Sequence, residues 1–200
     1  MSIRVTFWGV RAGAPASEGA FAHHGVETSC IEIESGTTRF VLDAGSGLLR
    51  RPKTNAPTFI LLTDARRTEG LHAASSALIQ ALTPQASAFT YGDLAIQTYA
   101  PDAAGVAVVV MHGERCLCYV ASATSPAPEI ANAAHGADLL IFGGRWQDGV
   151  RFKHELGAKL LAITDHPAAL TDAALASSAA DAAARHSNLF FARSGCSLDL

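Results

Sequence analysis

The residues with chemistry to offer gather at a few places along the chain. One is Leu61-Leu62-Thr63-Asp64-Ala65-Arg66-Arg67-Thr68-Glu69-Gly70-Leu71, which follows an apolar strand pattern and opens a helical one. Others are Asp165-His166-Pro167, at the entrance to an alanine-rich helix, and Arg145-Trp146. Asp64, Glu69 and Asp165, if they converge, supply the oxygen ligands that one hard cation such as Mg2+ or Ca2+ prefers. Arg66 is an equally ready partner for any of them, and a carboxylate-guanidinium network would satisfy the charge without metal. Arg66, Arg67 and Arg145 with Trp146 suit an anion instead, guanidinium forks meeting a phosphate or carboxylate while the indole packs on an organic part. The competing reading is that these arginines are solvated or paired internally.

Among the eight histidines, His23 and His24 are the best candidates for a site, since adjacent residues can supply one ligand and one outer contact. The alternative is a pair of surface loop histidines. Asp43, in the turn Asp43-Ala44-Gly45-Ser46-Gly47, is expected to be structural and to accept hydrogen bonds from nearby backbone N–H groups. Ser46 does not meet the G-x-S-x-G spacing of a nucleophile turn, and Cys30 lies in a strand pattern without an evident base.

The elements that must hold these groups read as follows. Strand patterns cover 3–8, 29–34 and 39–43, the last two joined by Ser35-Gly36-Thr37 as a hairpin turn. Residues 58–62 form another apolar strand, and 71–82 places Leu71, Ala74, Leu78 and Leu82 at helical spacing, which predicts a helix. A second β group spans 94–99, 106–111 and 116–121, with His112-Gly113-Glu114 as a turn; the run 106–111 is apolar throughout and expected to be buried on both faces. A short helix over 128–135, strands over 139–142 and 159–163, a long helix over 167–185 and strands over 188–192 and 197–200 complete the reading. Residues 55–57 and 125–127 are expected as exposed loops. Two strand groups, each followed by helices, favour two stacked sheets with helices outside.

With 200 residues, 49% hydrophobic and 16% charged, the chain suits one compact domain over 1–200. A formal net charge of -3 gives no general attraction to nucleic acid or anionic lipid, and Arg50-Arg51 and Arg66-Arg67 are too short to supply a local one. No apolar run approaches the ~20 residues that span a bilayer. A basic segment followed by an apolar signal core is missing at the start, so a cytoplasmic location is the expectation. The four cysteines are dispersed and read as reduced packing residues.

Several stretches resemble the metallo-β-lactamase superfamily, in its branch near cyclic-phosphate phosphodiesterases and transfer-RNA 3′-processing endonucleases. They are, in order, Ile3-Arg4-Val5-Thr6-Phe7-Trp8-Gly9-Val10-Arg11, then Ala22-His23-His24-Gly25-Val26-Glu27-Thr28-Ser29-Cys30, then Phe40-Val41-Leu42-Asp43-Ala44-Gly45-Ser46-Gly47-Leu48. Leu117-Cys118-Tyr119, Gly136-Ala137-Asp138-Leu139-Leu140-Ile141 and the final Phe191-Ala192-Arg193-Ser194-Gly195-Cys196-Ser197-Leu198-Asp199-Leu200 continue the series across nearly the whole chain. The resemblance implies an α/β (α+β) chain folded as a four-layer αββα sandwich. It also implies a pair of zinc ions, or sometimes iron or manganese, which activate a bridging water.

The ligands that this resemblance calls for are missing. Aligned from Thr63, the four ligand positions of the family's HxHxDH motif hold Asp64, Arg66, Thr68 and Glu69; aligned from Gly70-Leu71, Arg66 and Arg67 stand at the last two. The histidine before a proline becomes Ala100, the bridging aspartate falls at about Ser122, and a His-Asp pair becomes Phe142-Gly143. The histidine that closes a later strand falls at Thr164 or Asp165, with His166 late. The family's loop at His23 and His24 passes near the site mouth, which keeps both as candidates. A guanidinium would repel a divalent ion, since arginine stays protonated at any workable pH.

No cofactor is therefore expected. The reading is a fold that has lost its metals and its hydrolysis and now serves as a ligand-binding, regulatory or non-catalytic partner protein. Its partner would be a small anionic ligand, a second copy or an active relative. The alternative is a phosphodiesterase-like hydrolase with a rebuilt or mononuclear centre.

Overall fold

The computed structural model describes residues 2–12, 19–53, 56, 58–64, 67–73, 77–81, 87–99, 106–121 and 126–200. Its strands in chain order are β1 (Arg4–Gly9), β2 (Arg11–Ala12), β3 (Cys30–Ser35), β4 (Thr38–Leu42), β5 (Thr58–Leu62), β6 (Ala77–Ala81), β7 (Ser87–Tyr91) and β8 (Leu94–Tyr99). They continue with β9 (Ala107–His112), β10 (Arg115–Val120), β11 (Leu139–Gly143), β12 (Leu160–Thr164), β13 (His166–Pro167), β14 (Leu189–Phe191) and β15 (Cys196–Asp199). The α-helices are α1 (Pro128–Ala133), α2 (Trp146–Leu156) and α3 (Asp172–Arg185).

Two sheets are stacked. One runs β15-β1-β3-β4-β5-β6, the other β14-β12-β11-β10-β9-β8-β7, and a ribbon pairs β13 with β2. Strand alternation divides the apolar residues between two layers. In β11, Leu139 and Ile141 join Phe7, Ile33, Phe40 and Val110 between the sheets, whereas Leu140 and Phe142 turn outward to Ile130, Phe152, Leu156 and Leu175 beneath the helices. That is why this run shows no polar face. The outer face of the first sheet is closed by a smaller cluster around Cys30, Val41, Leu48 and Ile60. Among the described residues its cover is two 3-10 turns, Ser46–Arg50 and Leu71–Ala73.

The structure corrects the helix expected over 71–82. The 3-10 turn ends at Ala73, and Ala77–Ala81 is β6, which pairs in parallel with β5 through Thr58↔Ala77 to Leu62↔Ala81. The run extends the first sheet by one edge strand on β5, a tertiary pairing that overrides the local helical spacing. The long helix starts later than expected, at Asp172, because Pro167 is taken by β13 and Thr171 Oγ1 accepts the Ala174 N–H at 3.3 Å as an N-cap. The helix α2 and the strand β7 were not among the expected elements.

Candidate functional site

The ends of four strands meet at one buried ion-pair cluster. Asp43 follows β4 and Thr63 follows β5, both from the first sheet; Tyr119 lies on β10 and Asp165 follows β12, from the second. Arg67 reaches between them from the loop after β5. Its Nη1 donates to Asp43 Oδ2 at 2.6 Å and to Tyr119 Oη at 3.2 Å, while Nη2 donates to Asp165 Oδ2 at 2.9 Å. Asp43 Oδ1 also accepts the Thr63 backbone N–H at 2.7 Å, and Thr63 Oγ1 donates to both carboxylate oxygens at 2.9 and 2.7 Å. One cation thus ties the two sheets together at the head of the sandwich.

Both aspartates adopt left-handed backbone, with φ of 63° at Asp43 and 53° at Asp165. That conformation costs a non-glycine residue free energy and persists where its surroundings over-determine it. At Asp43 the bonds from Thr63 and Arg67 hold the carboxylate, and at Asp165 the bond from Arg67 does so. Asp43 is fully buried and Asp165 nearly so, and the Arg67 side chain is only 15% exposed. Burial pushes the Asp165 carboxyl above the usual range, although Arg67 pulls the other way. Burial opposes the charge on Arg67, and the Asp165 and Asp43 carboxylates outweigh it, so the guanidinium holds its proton more firmly than a free arginine. The Tyr119 hydroxyl is raised by burial and then by Asp165 and Asp43, so it stays neutral.

Arg67 is the described arginine of this cluster, and Arg66 lies outside the described residues. The sequence placed Arg66 against Asp64, Glu69 or Asp165; in the structure Arg67 takes Asp165, and its second partner is Asp43. Asp43 does accept backbone N–H groups, as expected, from Thr63 and, at 3.4 Å, from Asp64. Thr68 and Glu69 are exposed, away from the buried carboxylates. Phe142 is packed in the layer beneath the helices, and its neighbour Gly143 leaves room for the cluster: a Cβ there would lie 2.6 Å from Asp165 Oδ2. Arg66, Ala100 and Ser122 lie outside the described residues.

The other candidates stand elsewhere. Arg145 is the exposed residue before α2, and the Trp146 ring lies 5.8 Å from that of His186. Among the described residues no hydrogen bond, ion pair or ring contact joins either to Arg67. His24 is buried, not a surface loop residue, while His23 is exposed. His24 Nδ1 lies 3.1 Å from Asp172 Oδ1, which also meets the fully buried Arg11 at 3.4 Å. Arg11 further donates to the carbonyls of Gly25 at 2.8 Å and Leu170 at 2.7 Å, so this second cluster is saturated with internal partners. His166 is buried beside it, with Nε2 3.0 Å from the Ala192 carbonyl oxygen. The position of His24 and Arg11 was not legible, because their partner Asp172 is far along the chain.

The arrangement of two stacked sheets with strand ends converging on one cluster is shared with solved structures. The chain superimposes on the metallo-beta-lactamase fold protein YhfI from Bacillus subtilis with a TM-score of 0.75 and 16% identity over 100% of both chains. This chain has the metallo-β-lactamase fold. Zinc-bound PqqB from Methylobacterium extorquens gives a TM-score of 0.70 at 14% identity, covering 98% of this chain and 100% of that one. A diphosphatase from the PhnP family gives 0.66 at 11%, over 100% and 98%. No protein-family model and no curated sequence matches the chain.

A dinuclear metal centre on a metallo-β-lactamase fold needs several nitrogen and oxygen donors aimed at common points. Here the facing oxygens of Asp43 and Asp165 are spent on a guanidinium, and among the described residues no three His, Cys, Asp or Glu side chains group as metal ligands. The described donor set does not fit a metal pair.

Proposed function

We propose that this chain is a metallo-β-lactamase-fold protein that has exchanged dinuclear hydrolysis for an internal ion pair, and that it works by binding: as a regulatory module, a small-ligand receptor or the non-catalytic partner of an active relative. The observation that supports this reading is the Arg67 fork held between Asp43 and Asp165. A permanent cation at that point repels a divalent ion and occupies the carboxylates that would hold it. It also performs the mechanical service of a metal, since it draws together strand ends of opposite sheets. The fold by itself does not choose between catalysis and binding.

Protein purified without chelator, incubated with zinc and then desalted, tests the reading by elemental analysis combined with phosphodiesterase and lactam assays. The expected result is substoichiometric transition metal and no turnover above buffer. Stoichiometric metal together with metal-dependent turnover would overturn it.

A further inference from the structure

One apolar groove opens where both sheets reach an edge. β14 is the last strand of one sheet and β15 the last of the other, and α3, packed on β14, lines the opening with both. The groove encloses about 540 Å3, inside the usual range for a small-molecule site. Its wall is the stripe Ala176, Ala179 and Ala183, at helical spacing along α3, and its floor includes Phe190 and Leu198. Phe190 and Leu198 also pack against the core between the sheets, so the apolar interior of the sandwich reaches the surface here.

One cation stands in the lining. Arg193 sits in the turn between β14 and β15, where its backbone is fixed: its N–H lies 3.4 Å from Cys196 Sγ, and the Gly195 N–H donates to the Phe7 carbonyl at 2.6 Å. Among the described residues the Arg193 guanidinium has no carboxylate partner. Of the titratable neighbours in the same lining, His24 is already committed to Asp172, which Arg11 also meets, and burial raises the Cys196 thiol, so it stays neutral. A narrow alanine and phenylalanine trough next to an unspent guanidinium fits a molecule with an aliphatic body and a single anionic head. We propose that the groove binds a medium-chain aliphatic carboxylate, its chain on Ala176, Ala179, Ala183, Phe190 and Leu198 and its head on the Arg193 fork. The groove shares no residue with the Arg67 cluster, so the two readings stand or fall separately.

Calorimetric titration of the full chain with monomeric octanoate and decanoate, and with decanol and decylammonium as controls, tests the proposal. Affinity should rise about fourfold for each added methylene, as apolar burial requires. Arg193→Gln should weaken decanoate about tenfold while leaving decanol unchanged. Ala183 is exposed on α3, so Ala183→Trp should keep the melting temperature and abolish decanoate binding. Affinity independent of chain length, decylammonium binding as well as decanoate, or decanoate binding unaffected by both substitutions would overturn it. So would binding confined to anionic phospholipid vesicles, or a dimer in sedimentation that Ala183→Trp dissociates.

Discussion

Arg67→Met removes the cation from the cluster and leaves most of its apolar stem. Asp43 and Asp165 would then face each other as buried carboxylates, with the donors at 2.6 and 2.9 Å gone. Removing one partner of a buried ion pair costs about 3–5 kcal/mol, chiefly because a charge is left without compensation. The Arg67 side chain is 15% exposed and those of Asp43 and Asp165 are 0% and 4% exposed, so solvent screening does little to reduce that figure. In a domain of this size about 1 kcal/mol moves the melting temperature by roughly 2–4 °C, so a fall of roughly 6–20 °C is expected. The loss should depend on pH in a defined direction. Burial already raises the Asp165 carboxyl, and without Arg67 it rises further, so the folded variant takes up a proton that the unfolded chain does not. A folded-state value above the unfolded one means stability that is present at low pH and lost as pH rises through the folded value. The deficit of Arg67→Met against the parent should therefore be largest at pH 7.5 and shrink toward pH 5. Urea unfolding of both proteins at the two pH values is the assay, and Arg67→Met/Asp165→Asn should recover part of the loss at pH 7.5. A deficit under about 1 kcal/mol, equal at both pH values, would refute the cluster as a buried staple.

Other consequences can be measured separately. In Arg67→Ala the space between the carboxylates should accept a free guanidinium ion, so millimolar guanidinium chloride should raise the melting temperature of the variant and not of the parent; sodium chloride with the same effect would count against it. Burial drives the His166 imidazole down to about 4. Its folded value lies below the unfolded one of about 6.5, so it contributes up to about 3 kcal/mol that is present above pH 6.5 and lost as pH falls toward 4; a carbon-13 NMR titration giving an ordinary histidine value would contradict this. A Cβ at Gly47 would lie 2.6 Å from the Gly9 backbone nitrogen and 2.7 Å from Trp8 C, so Gly47→Ala should lower stability by about 1–3 kcal/mol in urea unfolding. No measurable change would mean that the turn Ser46–Arg50 does not press on β1 as described.

The N-terminal hairpin was legible because Ser35-Gly36-Thr37 separates two apolar runs that can pair at once, and the structure pairs them from Ile31↔Leu42 to Ser35↔Thr38. Run 71–82 was misread because Leu71, Ala74, Leu78 and Leu82 mimic a helix face, whereas pairing with the edge of the preceding strand β5, which no local spacing signals, decides the outcome. Helix α2 was missed for a different reason. Its buried positions are Gly149, Phe152 and Leu156, and the first carries no apolar signal. Gly149 is needed there because a Cβ would lie 2.8 Å from Ile163 Cδ1 and 3.2 Å from Phe142 Cδ1. At the site, the presence of guanidinium and carboxylate could be read from residue types. Which arginine meets which aspartate could not, since Arg66 and Arg67 differ by one residue in a loop whose register is set by Asp43 holding the Thr63 N–H.

The Arg67 guanidinium is the cation between Asp43 and Asp165. A high-resolution crystal structure grown with excess zinc measures this directly. The prediction is both carboxylates bonded to Arg67 Nη1 and Nη2 with no ion between them. Two closely spaced anomalous peaks in that place, with Arg67 turned out toward solvent, would contradict it.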